Sequence, residues 1–567
     1  MRLTGAAVTA AVTALALVGP APQAAVASGD QIEYTVLAAR GVSSADAAAA
    51  IASAGGTVIA QNDAVGLFQV TAAATGFVER AAATPGLVGA AHRVPIGSAP
   101  ETKLVDVEQE GPAGSQVGEF SVPGRPGTAA PGMDPLDDKL WGLRMVRADL
   151  SRQVNAGDRR VHVGILDTGM DASHPDISPN FSWALSRNFA PDIPSIDGPC
   201  ETASCVDAVG TDDNGHGTHV SGTIGAAANG TGVSGVAPNV SLVELKGGQD
   251  SGFFFLDSVV NALTYAGDSG IDAVNMSFFL DPWLYNCPGN PADSPAAQAE
   301  QRTIIAGMNR ALTYAHDHGV ALFGSLGNNH EDLGHPRVDT TSPDFPANAT
   351  YPRTIDNATC VDLPIEGPFV IGVSSVGPSG TKSDFSNYGV EQISVAAPGG
   401  WFRDGFGTPT YRTLGNQILS SYPLNVLRAS GAVDADGNIT PGSVGNVFKD
   451  CTAAGVCGYY TYLQGTSMAS PHAAGVAALI VSRFGKYDPA HPGTLRLEPW
   501  KTESVLLHTA AEHACPSPPI QSYVREGRST EFDAPCEGDL NFNGIYGYGI
   551  VDAFAAVTEP PAYGIDP

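Results

Sequence analysis

Two rhythms of apolar residues divide the chain. Between Gln31 and Arg93 the apolar positions come in short sets. Residues 34–38 alternate as a strand, the Ala-rich stretch Ser44–Ala54 follows a Ser cap as a helix, residues 57–60 and 66–70 flank Asn62-Asp63 as a hairpin, and residues 76–83 return to helical spacing. This pattern predicts a small α+β unit. From residue 96 to 133 the sequence is rich in Gly, Pro, Ser and Glu without periodicity, which predicts an exposed linker open to proteolysis. From Asp134 onward, β-rich runs at 161–166, 242–245, 273–276, 321–324 and 370–373 are separated by helical stretches such as 256–267 and 303–319. Strand, helix and strand at these lengths predict an α/β architecture with a doubly wound, mostly parallel sheet. Active sites in such sheets lie at the carboxyl ends of the strands.

Charge narrows the function classes. The 567 residues hold 29 Lys and Arg against 58 Asp and Glu, a formal charge of -29, which repels nucleic-acid phosphates and anionic lipid alike. The N-terminus carries Arg2, an apolar run over residues 6–18, a Gly-Pro break and Ala25-Val26-Ala27, the layout of a secretory signal cut after Ala27. That run falls short of the about 20 residues a membrane span requires, so residues 1–27 are expected to be removed and the protein to be extracellular. Eight cysteines suit an oxidising compartment. Cys200 with Cys205, Cys451 with Cys457, Cys515 with Cys536 and Cys287 with Cys360 make one pairing, among about 105 that sequence leaves open. None of their spacings resembles a C-x-x-C zinc site.

Three segments carry chemistry. Asp167 follows the strand Val163-Gly164-Ile165-Leu166; His216 lies in Asn214-Gly215-His216-Gly217-Thr218-His219; Ser467 lies in Gly465-Thr466-Ser467-Met468-Ala469-Ser470-Pro471-His472. A serine hydroxyl needs a base within hydrogen-bond reach, and the base needs an acceptor to fix its tautomer. Asp, His and Ser fill those roles, and a helix starting at Ser467 would add N–H groups and a dipole that favour an oxyanion. Taken singly, each residue also reads as a strand-end turn or a helix cap. A lipase would instead carry Gly-x-Ser-x-Gly and the order Ser, acid, His, and neither occurs at Ser467. A catalytically dead scaffold would lack one of these residues.

Together the segments resemble the signature motifs of the subtilisin-like serine proteases, the subtilases, in that family's chain order. The resemblance runs from Asp134 to about Ala556 and includes Tyr548-Gly549-Ile550-Val551-Asp552-Ala553. It implies a serine endopeptidase without a catalytic cofactor, acting on protein or peptide substrates, with Asn328 of Gly324-Ser325-Leu326-Gly327-Asn328 as side-chain donor of the oxyanion hole. It implies that His219, His174 and His472 are packing residues; no Glu follows His216 where a zinc protease would need one. By size and position, residues 28–95 resemble a subtilase propeptide, an intramolecular inhibitor joined through the 96–133 linker to a catalytic domain spanning 134–567. The resemblance also suggests structural calcium at Asp176 and Asn229 with the carbonyls of Ala227, Thr231 and Val233.

One departure from the family bears on specificity. Where subtilases carry Ser, an apolar residue and Gly beside the primary specificity pocket, this chain reads Ser277-Phe278-Phe279. A benzyl group in place of the Gly hydrogen is expected to narrow the pocket mouth. Gly252-Phe253-Phe254-Phe255 falls where the substrate-pairing edge begins, so an extended peptide is expected to add there as a strand, with Phe254 at an apolar subsite. The other reading of these aromatics is core packing. Gly327 is expected to border the same groove.

Overall fold

In the computed structural model the described residues are 31–93, 107–110, 134–335, 338–344 and 349–559. The expected signal segment, residues 1–27, and most of the linker lie outside them.

The N-terminal unit is a four-stranded antiparallel sheet built from β1 (Gln31–Ala38), β2 (Gly56–Asn62), β3 (Leu67–Ala73) and β4 (Leu87–His92), in the order β2-β3-β1-β4. Helices α1 (Ser44–Ala54) and α2 (Phe77–Ala83) cover one face. Ser43 caps α1 by accepting from the Asp46 N–H, and Gly55 closes it in the left-handed conformation. The sequence pattern missed β4 because Gly89 and the small residues around it blur the alternation. Gly89 has a packing reason: a Cβ there would lie 2.5 Å from Thr303 Oγ1.

The large domain is a seven-stranded sheet of β5 (His162–Asp167), β6 (Arg187–Asn188), β7 (Ser241–Lys246), β8 (Ala273–Met276), β9 (Ala321–Ser325), β10 (Val370–Val376) and β11 (Val395–Pro398). Its order is β11-β10-β9-β8-β5-β7-β6, and every pairing is parallel. Helices α3 (His216–Gly225), α4 (Leu256–Asp268), α5 (Pro295–Asp317) and α6 (Thr466–Phe484) flank it. From β5 the chain passes to the edge strand β6, inserts β7 between β6 and β5, and then places β8 on the other side of β5. The strand order therefore switches at the end of β5, and Asp167 is its last residue. The long stretch 401–460 carries regular structure. Part of it forms a three-stranded antiparallel sheet of Ile418–Tyr422, Cys457–Leu463 and Val447–Cys451, laid against α3.

The N-terminal unit docks on α4 and α5. Leu37, Val65, Leu67 and Ala91 enter the same apolar core as Val259, Leu263, Met308 and Leu312. Polar pairs ring that seam. Arg310 Nη1 donates to Ala38 O at 2.8 Å and Val65 O at 2.9 Å, Asn62 Nδ2 donates to Asn261 Oδ1 at 2.8 Å, and Arg93 Nε meets Asp257 Oδ2 at 2.6 Å.

All four disulfides follow the pairing named above: Cys200–Cys205, Cys287–Cys360, Cys451–Cys457 and Cys515–Cys536.

Candidate active site

Three elements converge where the strand order switches. Asp167 ends β5 fully buried, and its Oδ1 accepts from the Thr168 N–H and from His216 Nδ1, each at 2.8 Å. His216 opens α3. Gly217 lets that helix start against the strand end: a Cβ there would stand 2.1 Å from Gly169 O. Asp212, which the sequence reading overlooked, holds the loop between acid and base. Its Oδ1 accepts from Thr168 Oγ1 at 3.1 Å and the Gly215 N–H at 2.8 Å, and its Oδ2 accepts from the Thr218 N–H at 2.9 Å and Thr218 Oγ1 at 2.6 Å. The available signal was an acidic residue four positions before the histidine in a turn-rich stretch.

Ser467 sits in the first turn of α6, a helix buried from Thr466 to Val481. Gly465 precedes that turn at φ +156, and a Cβ there would lie 3.4 Å from Asn328 Nδ2 and 3.2 Å from Glu108 Oε1, inside the cleft. Asn328 is oriented by Thr466, whose N–H and Oγ1 both donate to its Oδ1 at 2.9 Å. The amide Nδ2 is thereby turned toward the space in front of Ser467. A polar chain ties this helix to the end of β8. Ser470 Oγ donates to Asn275 Oδ1 at 2.7 Å, Asn275 Nδ2 to Ser277 Oγ at 2.9 Å, and Ser277 Oγ to Ser467 O at 3.0 Å.

The Ser467 hydroxyl itself donates to Ser277 O at 3.4 Å, and among the described residues it makes no hydrogen bond to His216. Instead Glu108, from the segment 107–110, brings Oε1 to 3.7 Å from His216 Nε2. Burial lowers the His216 pKa, but the carboxylates of Asp167 and Glu108 outweigh it and hold the value well above the ordinary one. The linker was expected to be exposed throughout, yet these four residues lie in the cleft because their carbonyls and side chains meet Gln464, Gln417 and two arginines there.

The other histidines of these motifs are buried. His219 Nε2 lies 3.1 Å from Ile418 O and 3.2 Å from Thr461 O, and burial pushes its pKa down to about 3. His174 and His472, each against a backbone carbonyl, are pushed by burial down to about 4.

Gly252, Phe254, Ser277, Phe278, Phe279 and Gly327 all line the cleft with His216, Asn328 and Ser467. The aromatic run 253–255 is split between two surroundings. Phe253 and Phe255 stack beside Ile196 away from the cleft, whereas Phe254 stacks on Phe278 at 4.0 Å between ring centroids. The segment is a tight loop closed by a Gly248–Phe254 bridge and Gly252 at positive φ, not a free strand.

Asp176 and Asn229 come together in a hydrogen-bonded cluster. The Asp176 carboxylate accepts from the Val233 N–H at 3.0 Å, Tyr460 OH at 2.9 Å and Asn229 Nδ2 at 3.4 Å, and burial raises its pKa to about 7. The residues of the expected calcium set lie together: the Ala227 N–H donates to Asp176 O at 2.8 Å and the Thr231 N–H to Asn229 Oδ1 at 2.9 Å. A second group also offers oxygen donors: Asp192, Asp207 and Asp250 each present a carboxylate oxygen, all within 4.8 Å of one another. Neither oxygen of buried Asp192 has a hydrogen-bond partner. Lys246 Nζ pairs with Asp207 at 3.2 Å and Asp250 at 2.6 Å from one side.

With this geometry in place, comparison with known proteins is decisive. A family model described as the subtilase family matches residues 158–549. The chain belongs to the subtilase family. It is a subtilisin-like serine endopeptidase, as its similarity to characterised members also indicates. Subtilisin DY of Bacillus licheniformis is 28% identical over 344 residues, covering 61% of this chain and 85% of its own. Thermitase of Thermoactinomyces vulgaris is 26% identical over 354 residues, covering 62% and 85%. The crystal structure of the epidermin leader peptide processing serine protease from Staphylococcus aureus superposes with a TM-score of 0.60 at 19% identity, covering 93% of this subtilase and 98% of that chain. At that identity it supports the fold, including the N-terminal unit in front of the parallel sheet.

Proposed function

We propose that this subtilase is a secreted endopeptidase made as a zymogen, with Ser467 as nucleophile, His216 as general base and Asp167 as the acceptor that orients it. The observation carrying this reading is the His216 Nδ1 to Asp167 Oδ1 bond of 2.8 Å in the cleft that Ser467 opens onto. Ser467 Oγ attacks the scissile carbonyl as its proton passes to His216 Nε2. The developing oxyanion accepts from Asn328 Nδ2 and the Ser467 N–H. Collapse expels the amine, which takes the proton from His216, and water then hydrolyses the acyl-enzyme by the reverse proton route.

Substrate residues upstream of the cut run along Gly252, Ser277 and Gly327, with Phe278 and Phe279 narrowing the primary pocket and Phe254 walling an apolar subsite. The zymogen reading rests on the docked α+β unit, assigned as propeptide over residues 28–95, and on the segment 107–110 lying against His216. Secretion is supported by four disulfides and the signal-like residues 1–27. A calcium ion at Asp192, Asp207 and Asp250 would act as a structural tie between three loops. Partners are protein substrates and the propeptide; among the described residues no helix is long and apolar enough to cross a membrane.

The test is to secrete wild type and Ser467→Ala, label each with a fluorophosphonate probe, assay casein cleavage and sequence the N-termini. Labelled, active wild type lacking the α+β unit is expected. An active wild type beginning at Ser28 overturns the zymogen reading, and labelling of Ser467→Ala overturns the catalytic one.

A further inference from the structure

The segment Val107–Glu110 occupies a built site that nothing in the catalytic apparatus requires. Its backbone is gripped by Gln464, three residues before the nucleophile: the Gln464 N–H donates to Glu108 O at 3.1 Å and Gln464 Nε2 to Val107 O at 2.9 Å. The Glu110 N–H closes a turn onto Val107 O at 3.3 Å. Val107 packs against Phe385, Trp401 and Tyr523. The Glu110 carboxylate meets the Arg403 guanidinium, lies 3.8 Å from Arg528 Nη2 and accepts from Gln464 Nε2 at 3.2 Å.

The charges of this pocket do not balance without a guest. Arg403 and Arg528 share one buried carboxylate, Asp384, which Arg528 Nε grips directly and Arg403 Nε approaches at 3.7 Å. Two guanidiniums, 17% and 23% exposed, face one buried carboxylate, and Glu110 supplies a second negative charge. Lys382, buried beside Asp384 with burial pushing its pKa down to about 7, adds positive charge when protonated and never offsets it. A guanidinium pair converging on one carboxylate from two directions recognises the anion by geometry as well as charge.

We propose that Arg403 and Arg528 form an acid-selecting subsite on the leaving-group side of the cleft, so that the enzyme prefers substrates with an apolar residue and, three positions later, Asp or Glu downstream of the cut. This rests on the protease reading above, in which upstream residues lie along Gly252 and Ser277. The 107–110 segment instead lies along Gln464, Trp401 and Arg403. It is then the enzyme's own first ligand for that subsite, presented in cis by the linker.

The proposal is tested on the mature enzyme carrying Glu110→Gln, so that its own segment does not fill the pocket. Internally quenched peptides share one upstream sequence and carry Val-Glu-Gln-Glu at spacings of none to four residues beyond the cut, with the final Glu kept or changed to Gln or Lys. At one spacing, kcat/KM for the Glu peptide is expected to exceed that for Gln by about tenfold and Lys by more, the factor of one charge-assisted hydrogen bond in a partly buried site. The Glu/Gln ratio should fall to near one in Arg403→Gln and Arg528→Gln, and recover in part in Arg403→Lys. Reading a ratio within each enzyme cancels any general loss of activity, and if Arg528→Gln fails to fold, Arg403→Gln decides alone. Equal cleavage of the three peptides at every spacing, or a ratio that survives Arg403→Gln, overturns the proposal. Hydrolysis of an anilide substrate with no residue beyond the cut, and its loss in Ser467→Ala, reports separately on the protease reading.

Discussion

Glu108 Oε1 stands 3.7 Å from His216 Nε2, the ring nitrogen that a serine protease needs free to take a proton. The two carboxylates flanking the ring, Asp167 on Nδ1 and Glu108 on Nε2, outweigh burial and favour the imidazolium, which cannot act as a base. On the proposed zymogen reading, this contact would oppose catalysis in the precursor in addition to blocking the cleft.

The sign of the pH effect follows. A raised histidine pKa means that the pairing contributes fully below the ordinary value near 6.5 and is lost as pH rises through the raised one. Conversion of the precursor is therefore expected to quicken as pH rises above neutrality. Glu108→Gln should shift the midpoint of that profile to lower pH, followed by gel densitometry of the conversion at each pH. An unshifted midpoint would show that Glu108 does not act on His216.

Asn328→Ala should lower kcat by about 10²–10³ with little change in KM, because its Nδ2 matters once the oxyanion has formed. Steady-state kinetics on one peptide substrate distinguish this from a folding defect, in which only the fraction of probe-labelled enzyme falls. A normal turnover number would remove Asn328 from the oxyanion hole.

Among the described residues Asp212 makes no hydrogen bond to Ser467 or His216, yet it accepts from Thr168, Gly215 and Thr218 in a buried loop. Asp212→Ala strands several buried donors at about 1–3 kcal/mol each, so a loss of at least about 3 kcal/mol is expected in a denaturant titration. Asp212→Asn, which keeps one acceptor oxygen, should recover part of it.

Phe279→Gly should broaden acceptance of large side chains at the residue preceding the cut. Phe254→Ala removes the ring stacked on Phe278 and should weaken selection for an upstream apolar residue. Both are read from cleavage profiles on a peptide library. Wild-type profiles in both variants would mean that these aromatics serve packing only.

Chelation bears on the acidic cluster. If calcium bridges Asp192, Asp207 and Asp250, EDTA should lower the melting temperature and added calcium restore it, and Asp192→Asn should abolish the difference. A melting temperature indifferent to calcium would leave Lys246 as the cluster's only cation.

Much of this protein was legible in its residues because the relevant information is local. A strand of small and branched apolar residues ending in Asp167, a Gly-His-Gly helix start and a Gly-Thr-Ser helix start each declare their geometry within a few positions. The alternation of strands and helices implies the parallel sheet that brings such ends to one edge. The sequence alone thus determined the fold class, the family motifs and their chain order. Only the tertiary structure decided what meets across long separations. Glu108 reaches His216 from a linker whose composition reads as solvent-exposed, and Glu110 reaches Arg403 and Arg528 from nearly three hundred residues or more away in the sequence. Asp176 reads as a metal ligand in the sequence, and only the fold shows that Val233 and Tyr460 also donate to it. Phe253, Phe254 and Phe255, neighbours in sequence, went to different surroundings because a loop turns adjacent side chains to opposite sides. Charge pairing, donor direction and burial are properties of the folded surroundings, and no spacing along the chain encodes them.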